Sequence, residues 1–275
     1  MERLDVLIVQ KGLAETRLQA KRLVLAGAVK VDNNSDLKPG QRISPEAKIE
    51  ISTPPKYVSR GGFKLEKALQ DFQIVVTDKV AIDVGASTGG FTDCLLQHEI
   101  SFVYAVDVGY GQLAWKLRKD PRVKILDRTN IRHIKPDLFS HQLDIAVFDV
   151  SFISLRKVIP VVIETLEITE IIALVKPQFE AGRVHVKKGG IVDDPNVHKE
   201  TLIDLIDYLQ ETCSIKTKGL SFSPIHQDIK NIEYLLWASK PTNTEALNNN
   251  IEQHSAFIVN YINDVVDTAH NVFYQ

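Results

Sequence analysis

The amino-acid sequence predicts an α/β fold: a doubly wound, mostly parallel seven-stranded sheet preceded by a small α+β domain. Three observations carry this. Five short apolar runs recur after residue 79 with helical periodicity between them, as buried parallel strands and their crossovers require. A proline-bearing break, Ser52-Thr53-Pro54-Pro55, separates that pattern from a head with shorter elements. Charge divides at the same place: residues 1–60 hold eleven Lys/Arg against seven Asp/Glu, whereas residues 241–275 hold none against four, so the net −2 conceals a basic head. The expected domains are therefore 1–55, 56–240 and a helical tail, 241–275.

In the head, Leu4, Leu7 and Ile8 share one helical face and Gly12 follows as a stop. Thr16 is placed to cap a second helix carrying Leu18, Leu23 and Val24, with Arg17 and Lys21 four apart on one face and Arg22 beside them. Gly27 ends it. Val29 and Val31 alternate with Lys30 and Asp32 as in a strand, Asn33-Asn34-Ser35-Asp36 and Lys38-Pro39-Gly40 read as turns, and Lys48–Ile51 is a further strand.

In the body, Val80–Val84, Phe102–Val106, Val123–Leu126, Ile145–Val150 and Ile171–Val175 read as the parallel strands. Helical segments lie between them at Phe91–Leu96 and Leu155–Leu166. Asp194-Pro195 is an N-cap followed by a first-turn proline, opening a helix with Leu202, Leu205, Ile206 and Leu209 on one face. Strands near Gly219–Phe222 and Ile232–Ala238 close the sheet. After the polar Asn248-Asn249-Asn250, the residues Ile258, Tyr261, Ile262, Val265 and Val266 predict a final helix docked on the body.

Composition excludes several classes. With 44% hydrophobic and 25% charged residues the chain can fill a core and is no disordered tail. Cys94 and Cys213 stand far apart, which offers neither a zinc ribbon nor a disulfide framework and suits a reducing cytoplasm. The first residues lack the apolar run of a secretion signal, and no stretch approaches the ~20 apolar residues that span a bilayer, so no membrane and no metal partner is expected.

The strongest motif is Asp83-Val84-Gly85-Ala86-Ser87-Thr88-Gly89-Gly90-Phe91, immediately after the first parallel strand. Its glycines allow a sharp turn and close approach of a ligand, and the helix that follows offers free backbone amides. The spacing is neither that of a dinucleotide site nor that of a phosphate loop, and an acid ending the strand suits a ligand with a positive amino or sulfonium group. Asp107, ending the second strand, can accept from two ribose hydroxyls, and Asp127, after the third, is placed to meet an adenine amino group. Asp149 and Lys176 end the fourth and fifth strands, Lys64 precedes the sheet and Glu233 falls in the last strand. Two cations and two carboxylates facing one cleft would perturb one another.

These residues resemble a known family. Arg3-Leu4-Asp5, Thr16-Arg17, Ala20-Lys21 and Gly27-Ala28-Val29-Lys30-Val31 resemble the S4 RNA-binding domain. The remainder resembles the FtsJ-like ribose 2′-O-methyltransferases. The arrangement of both, with Ser59-Arg60-Gly61-Gly62 and Lys176-Pro177-Gln178-Phe179-Glu180, is similar to the TlyA-type (haemolysin A) ribosomal RNA methyltransferases, over residues 1 to about 240. The resemblance implies a Rossmann-like domain that takes S-adenosylmethionine on Asp83, Gly85, Ala86, Ser87, Gly89, Gly90, Phe91, Asp107 and Asp127. It further implies a catalytic Lys64–Asp149–Lys176–Glu233 tetrad and methylation of cytidine 2′-hydroxyls in ribosomal RNA or ribosomal subunits. Lys176 is then the expected general base. The head is expected to grip RNA phosphates and shape through Arg3, Arg17, Lys21, Arg22 and Lys30.

Three rival readings follow. A cytolysin, which the haemolysin label invites, would need membrane-seeking segments. A non-catalytic RNA-binding protein would not need the tetrad, and a small-molecule methyltransferase would not need the head.

Overall fold

The computed structural model describes residues 1–25, 27–35, 37–51, 55–225, 231–241 and 251–274, with Arg22 and 251–257 described by their backbone alone. Ser52, Thr53 and Pro54 of the expected linker, the Asn248–Asn250 run and the Arg22 side chain thus lie outside the described residues. The chain divides into two compact units, Met1–Lys56 and Tyr57–Gln275.

The first unit holds β1 (Glu2–Arg3), α1 (Leu4–Gln10), α2 (Arg17–Leu25), β2 (Val29–Val31), β3 (Arg42–Ile43) and β4 (Ile49–Ile51). Two antiparallel pairs form, β1 with β3 and β2 with β4. The Thr16 hydroxyl accepts from the Gln19 amide at 3.2 Å, the cap expected at α2. Leu18 is 60% exposed, however, and α2 packs through Ala20 and Val24 against Leu4, Leu7 and Ile8. A face set by Leu18, Leu23 and Val24 is wider than this small core can cover.

The second unit is built on a seven-stranded sheet in the order β10-β11-β9-β8-β5-β6-β7. The strands are β5 (Val80–Val84), β6 (Phe102–Val106), β7 (Val123–Leu126), β8 (Ile145–Phe148), β9 (Glu170–Val175), β10 (Lys216–Phe222) and β11 (Tyr234–Ser239). The first five are parallel, and β11 runs antiparallel to both β9 and β10. Chain order reverses between β5 and β8, so the loops after these two strands diverge and leave a crevice at their carboxyl ends. Two apolar layers cover the sheet, one around Tyr104, Phe148 and Tyr234, the other around Leu65, Leu95 and Leu174.

The helices that place the site are α3 (Gly61–Asp71), α4 (Gly90–Gln97), α5 (Trp115–Arg118), α6 (Ile159–Leu166), α7 (Pro177–Glu180) and α8 (Pro195–Cys213). The segment expected as one helix over Leu155–Leu166 is a short 3-10 turn at Leu155–Lys157 followed by α6. Pro160 has no N–H to give and therefore sits in the first turn of α6, not in a helix interior. Asp194 caps α8 as its sequence indicates, accepting from the Asn196 amide at 2.9 Å.

The final helix α9 (Ile251–Phe273) packs on α8 and β10. Ile262, Val266 and Ala269 are buried, the Tyr261 hydroxyl donates to the Leu220 carbonyl at 2.7 Å, and Lys199 pairs with Asp267. His270 Nε2 lies 3.0 Å from Nδ1 of the buried His198. Desolvation lowers the His198 imidazole to about 4, so it is neutral where it contacts Tyr234 and the Val192 carbonyl.

Candidate active site

The loop after β5 turns at Gly85, whose φ is +88°. A Cβ there would stand 2.7 Å from the Asp149 carbonyl oxygen, so only glycine lets the loops after β5 and β8 meet. At Gly89, the left-handed N-cap of α4 (φ +95°), a Cβ would lie 2.3 Å from the Leu117 side chain. This glycine faces the packing of α5 and lines neither cavity described below.

Asp83 is wholly buried beneath the loop. Its Oδ2 accepts from the Thr92 amide at 3.0 Å and the Thr92 hydroxyl at 2.6 Å, tying strand end to helix start. Its Oδ1 is buried without a hydrogen-bond partner among the described residues. Burial raises this carboxyl to about 7, the Thr92 hydrogen bonds oppose that, and the charges of Asp149 and Asp107 add to it.

Two cavities open at the crevice. The larger, about 460 Å³, is lined by Gly85, Ser87, Asp107, Asn130, Ile131 and Phe152 among others. Asp107 accepts from the Ser87 amide at 2.8 Å and the Gly109 amide at 2.6 Å, which fixes its carboxylate at the rim. Asp127, expected to meet an adenine, does not line it. Its Oδ2 accepts from the Gly111 amide at 3.0 Å and from Arg118 at 3.4 Å, pinning the loop after β6 instead. Thr129, Asn130 and Ile131 occupy the wall where Asp127 was expected.

The smaller cavity, about 260 Å³, is lined by Ser59, Arg60, Gly61, Lys64, Ala86, Gly90, Phe91, Asp149, Ser151 and Lys176, and shares Gly85, Ser87, Asp149 and Ser151 with the larger. The four expected tetrad members form two ion pairs. Lys176 Nζ is 2.6 Å from Asp149 Oδ1, and Lys64 Nζ is 2.5 Å from Glu233 Oε2. Lys176 is 7% exposed and also donates to the Val150 carbonyl at 3.0 Å and the Ser151 hydroxyl at 2.9 Å. Glu233 stands one residue before β11 and not within it, behind Lys64 and off the cavity surface.

Sequence reasoning missed α3, the helix that carries Lys64 into the site. Leu65, Ala68 and Leu69, buried at helical spacing, are the signal that could have found it. It also missed Ser151 and Phe152. Phe152 is 91% exposed at positive φ and lies 5.2 Å from the Phe179 ring. Glu180 holds this loop, accepting from the Ser154 hydroxyl at 2.6 Å and the Leu155 amide at 2.7 Å. A positive φ at an aromatic is invisible in sequence, since only tertiary contacts impose it.

Residues 57–240 match the model of the FtsJ-like methyltransferases. The chain belongs to this family. The FtsJ-like domain follows an S4 domain matched at residues 2–49. The chain is also similar to named proteins over most of its length. It is 53% identical to YqxC of Bacillus subtilis over 239 residues, covering 86% of this chain and 84% of that one. It is 41% identical over 243 residues to the 16S/23S rRNA (cytidine-2′-O)-methyltransferase TlyA of Mycobacterium tuberculosis, covering 87% and 90% of the two. A solved structure from Streptococcus thermophilus, named as a hemolysin, superimposes with a TM-score of 0.71 at 42% identity, covering 99% of this chain and 97% of that one. Among the described residues, no helix of this FtsJ-like protein is long and apolar enough to cross a membrane.

Proposed function

We propose that this FtsJ-like protein transfers a methyl group from S-adenosylmethionine to a ribose 2′-hydroxyl of ribosomal RNA, with cytidine as the target nucleoside. One observation carries the reading: two lysine–carboxylate pairs, each joining a buried group to a half-buried one, stand where the cavity under the Gly85–Gly90 loop opens. The relatives' rRNA (cytidine-2′-O)-methyltransferase name and the S4 domain at residues 2–49 support the substrate class.

The residues present fit the cofactor. Asp107 at the rim of the larger cavity suits ribose hydroxyls, and the apolar Val106, Ile131 and Val158 beside it suit an adenine. Gly85, Ala86, Ser87 and Gly90 present backbone to the methionine portion, with Phe91 beside them. The Oδ1 of Asp83, with no hydrogen-bond partner among the described residues, is an acceptor that an ammonium group would satisfy. When bound, the cofactor supplies a methyl group on a cationic sulfonium.

A ribose hydroxyl is a poor nucleophile, so a base must take its proton as the C–O bond forms and the S–C bond breaks. Lys176 serves as that base. The 2′-hydroxyl proton passes to Nζ, which the Val150 carbonyl and the Ser151 hydroxyl hold in place by accepting from it. Asp149 then stabilises the resulting ammonium at 2.6 Å. Lys64, fixed by Glu233, holds the nucleotide's polar groups from the opposite wall.

In the head, Arg3, Arg17, Lys21 and Lys30 contact phosphates, and we place the protein with its ribosomal substrate in the cytoplasm. The test is transfer of labelled methyl groups to ribosomal subunits and to naked rRNA, followed by mapping of 2′-O-methyl sites with and without the gene. Absence of any gene-dependent 2′-O-methyl site would overturn the reading.

A further inference from the structure

The most basic stretch of the chain is not in the head. Residues 108–135 hold eight Lys/Arg against two Asp, although the whole chain is at −2. The same stretch carries three large apolar side chains in the open: Val108 at 71%, Tyr110 at 67% and Trp115 at 69% exposure. Two of them bear a cation on one ring face. Arg128 lies 4.2 Å from the Tyr110 ring centre, and Lys119 lies 4.6 Å from that of Trp115.

These side chains are held in place by built features. Asp127 bridges Gly111, next to Tyr110, and Arg118, on the helix of Trp115. Arg128 reaches Tyr110 from a left-handed backbone (φ +54°), fixed by its amide donating to the Gly109 carbonyl at 2.8 Å. The Ala114 amide donates to the Thr88 carbonyl at 3.1 Å, and Leu113 and Leu117 pack over Gly89. The loop is thereby fastened to the Gly85–Gly90 turn, and its Val108 and Gln112 line the larger cavity.

An exposed aromatic with a cation on one face has its other face free for a flat partner, and the surrounding charge selects a polyanion. A nucleic acid with unstacked bases offers both, whereas a duplex offers only the charge. Lys116, Arg118 and Arg122 pair with Asp93, Asp127 and Asp120, so a protein partner would have to be acidic enough to match the other five cations, Lys119, Lys124, Arg128, Arg132 and Lys135. We propose that Tyr110 and Trp115, with Arg128, Lys119 and their basic surroundings, form a stacking surface for unpaired RNA bases beside the cofactor cavity. This rests on the reading of RNA as the substrate, and it adds a second RNA contact, on the catalytic domain, to that of the head.

The test uses the full chain and a labelled single-stranded pyrimidine oligoribonucleotide, with an RNA duplex of the same length for comparison. Tyr110→Ala and Trp115→Ala should each weaken single-strand binding by about tenfold. Duplex binding should change little, and S-adenosylmethionine affinity should stay at the wild-type value, which also reports correct folding. Tyr110→Phe, which keeps the ring, should bind as wild type. Single-strand binding should quench tryptophan emission, and Trp115→Phe should abolish that quenching.

Unchanged single-strand affinity in both alanine variants would overturn the proposal, as would equal weakening for strand and duplex. The two readings separate cleanly. A protein that binds the oligonucleotide through these rings but adds no methyl group to ribosomal RNA keeps the surface and loses the enzyme. One that methylates normally while the alanine variants bind as wild type keeps the enzyme and loses the surface.

Discussion

In the head, Asp5 is completely buried and spends both carboxylate oxygens on Arg3 and Arg17, at 2.9 to 3.2 Å. In the body the cations are lysines, each meeting one carboxylate: Lys176 is buried against a half-buried Asp149, and a half-buried Lys64 meets the buried Glu233. A guanidinium does not give up its proton at any working pH, so the head cluster can clamp and meet anions but carries no proton. An ammonium can, so the body cluster can carry a proton. Burial of charge is common to both, and the choice of cation separates structure from chemistry.

The largest expected effect comes from exchanging the cation types. Lys176→Ala should lower methyl transfer by about 10²–10⁴-fold, with S-adenosylmethionine binding retained. Lys176→Arg keeps the positive charge beside Asp149 and removes the transferable proton, so it should be as slow as the alanine variant. Single-turnover transfer of labelled methyl groups measures both. Wild-type rates in Lys176→Arg would show that the site needs charge alone and would remove the base from the mechanism.

Asp83 provides the second test, through pH. Its carboxyl is raised from 3.8 in the unfolded chain to about 7 in the folded one, so the folded state favours the neutral form. The associated stability is complete in acid, declines as pH rises above about 4, and is gone once pH passes 7, a loss of up to about 4 kcal/mol. Thermal melts of the cofactor-free protein should therefore fall with pH across that window, and Asp83→Asn should flatten the slope. Cofactor affinity should run the other way in the wild type, rising toward pH 8 as the carboxylate forms. Parallel melting curves for wild type and Asp83→Asn would remove the buried acid from both effects.

The two regions were not equally legible in the sequence. Strand ends fall where apolar runs meet an acid or a lysine, so Asp107, Asp149 and Lys176 could be placed at the crevice by counting. Glu233 could not, because its pairing with Lys64 joins residues 169 apart and depends on β11 inserting antiparallel beside β9. Asp127 has a local role that its place in the sequence did not show. Its position after β7 is that of a ligand contact, but the neighbouring Gly111 amide and Arg118 satisfy its carboxylate locally. In the head, alternation and caps revealed the elements, yet nothing in Arg3-Leu4-Asp5 announced that the acid would be buried and both arginines committed to it.

That commitment can be broken at Asp5. Burial disfavours its ionised form, but hydrogen bonds and charge from Arg3 and Arg17 outweigh this and hold it below the usual carboxylate range. Its contribution is thus present at neutral pH and lost as pH falls through the depressed folded value. Asp5→Asn should destabilise the head by about 1–3 kcal/mol at pH 7 and by much less in strong acid. Hydrogen exchange of the α1 and α2 amides resolves the head from the body. Equal protection in variant and wild type would mean that the arginines are held by packing alone.

The smallest effects should separate the head cations from one another. Lys21 and Lys30 are exposed on the surface, so Lys21→Ala and Lys30→Ala should each weaken RNA binding modestly and reduce the salt slope by about one, without altering stability. Arg17 is 53% exposed and bonded to Asp5, so its guanidinium can meet a phosphate while still serving the clamp. Arg17→Ala should therefore lower both the salt slope and the protection of α2, whereas Arg17→Lys should restore part of the slope and little of the protection, because an ammonium cannot reproduce the guanidinium's geometry. Titrations of rRNA at several salt concentrations, run beside hydrogen exchange, measure the two quantities independently. If Arg17→Ala altered protection and left the salt slope untouched, Arg17 would belong to the clamp alone and RNA recognition by the head would fall to its lysines.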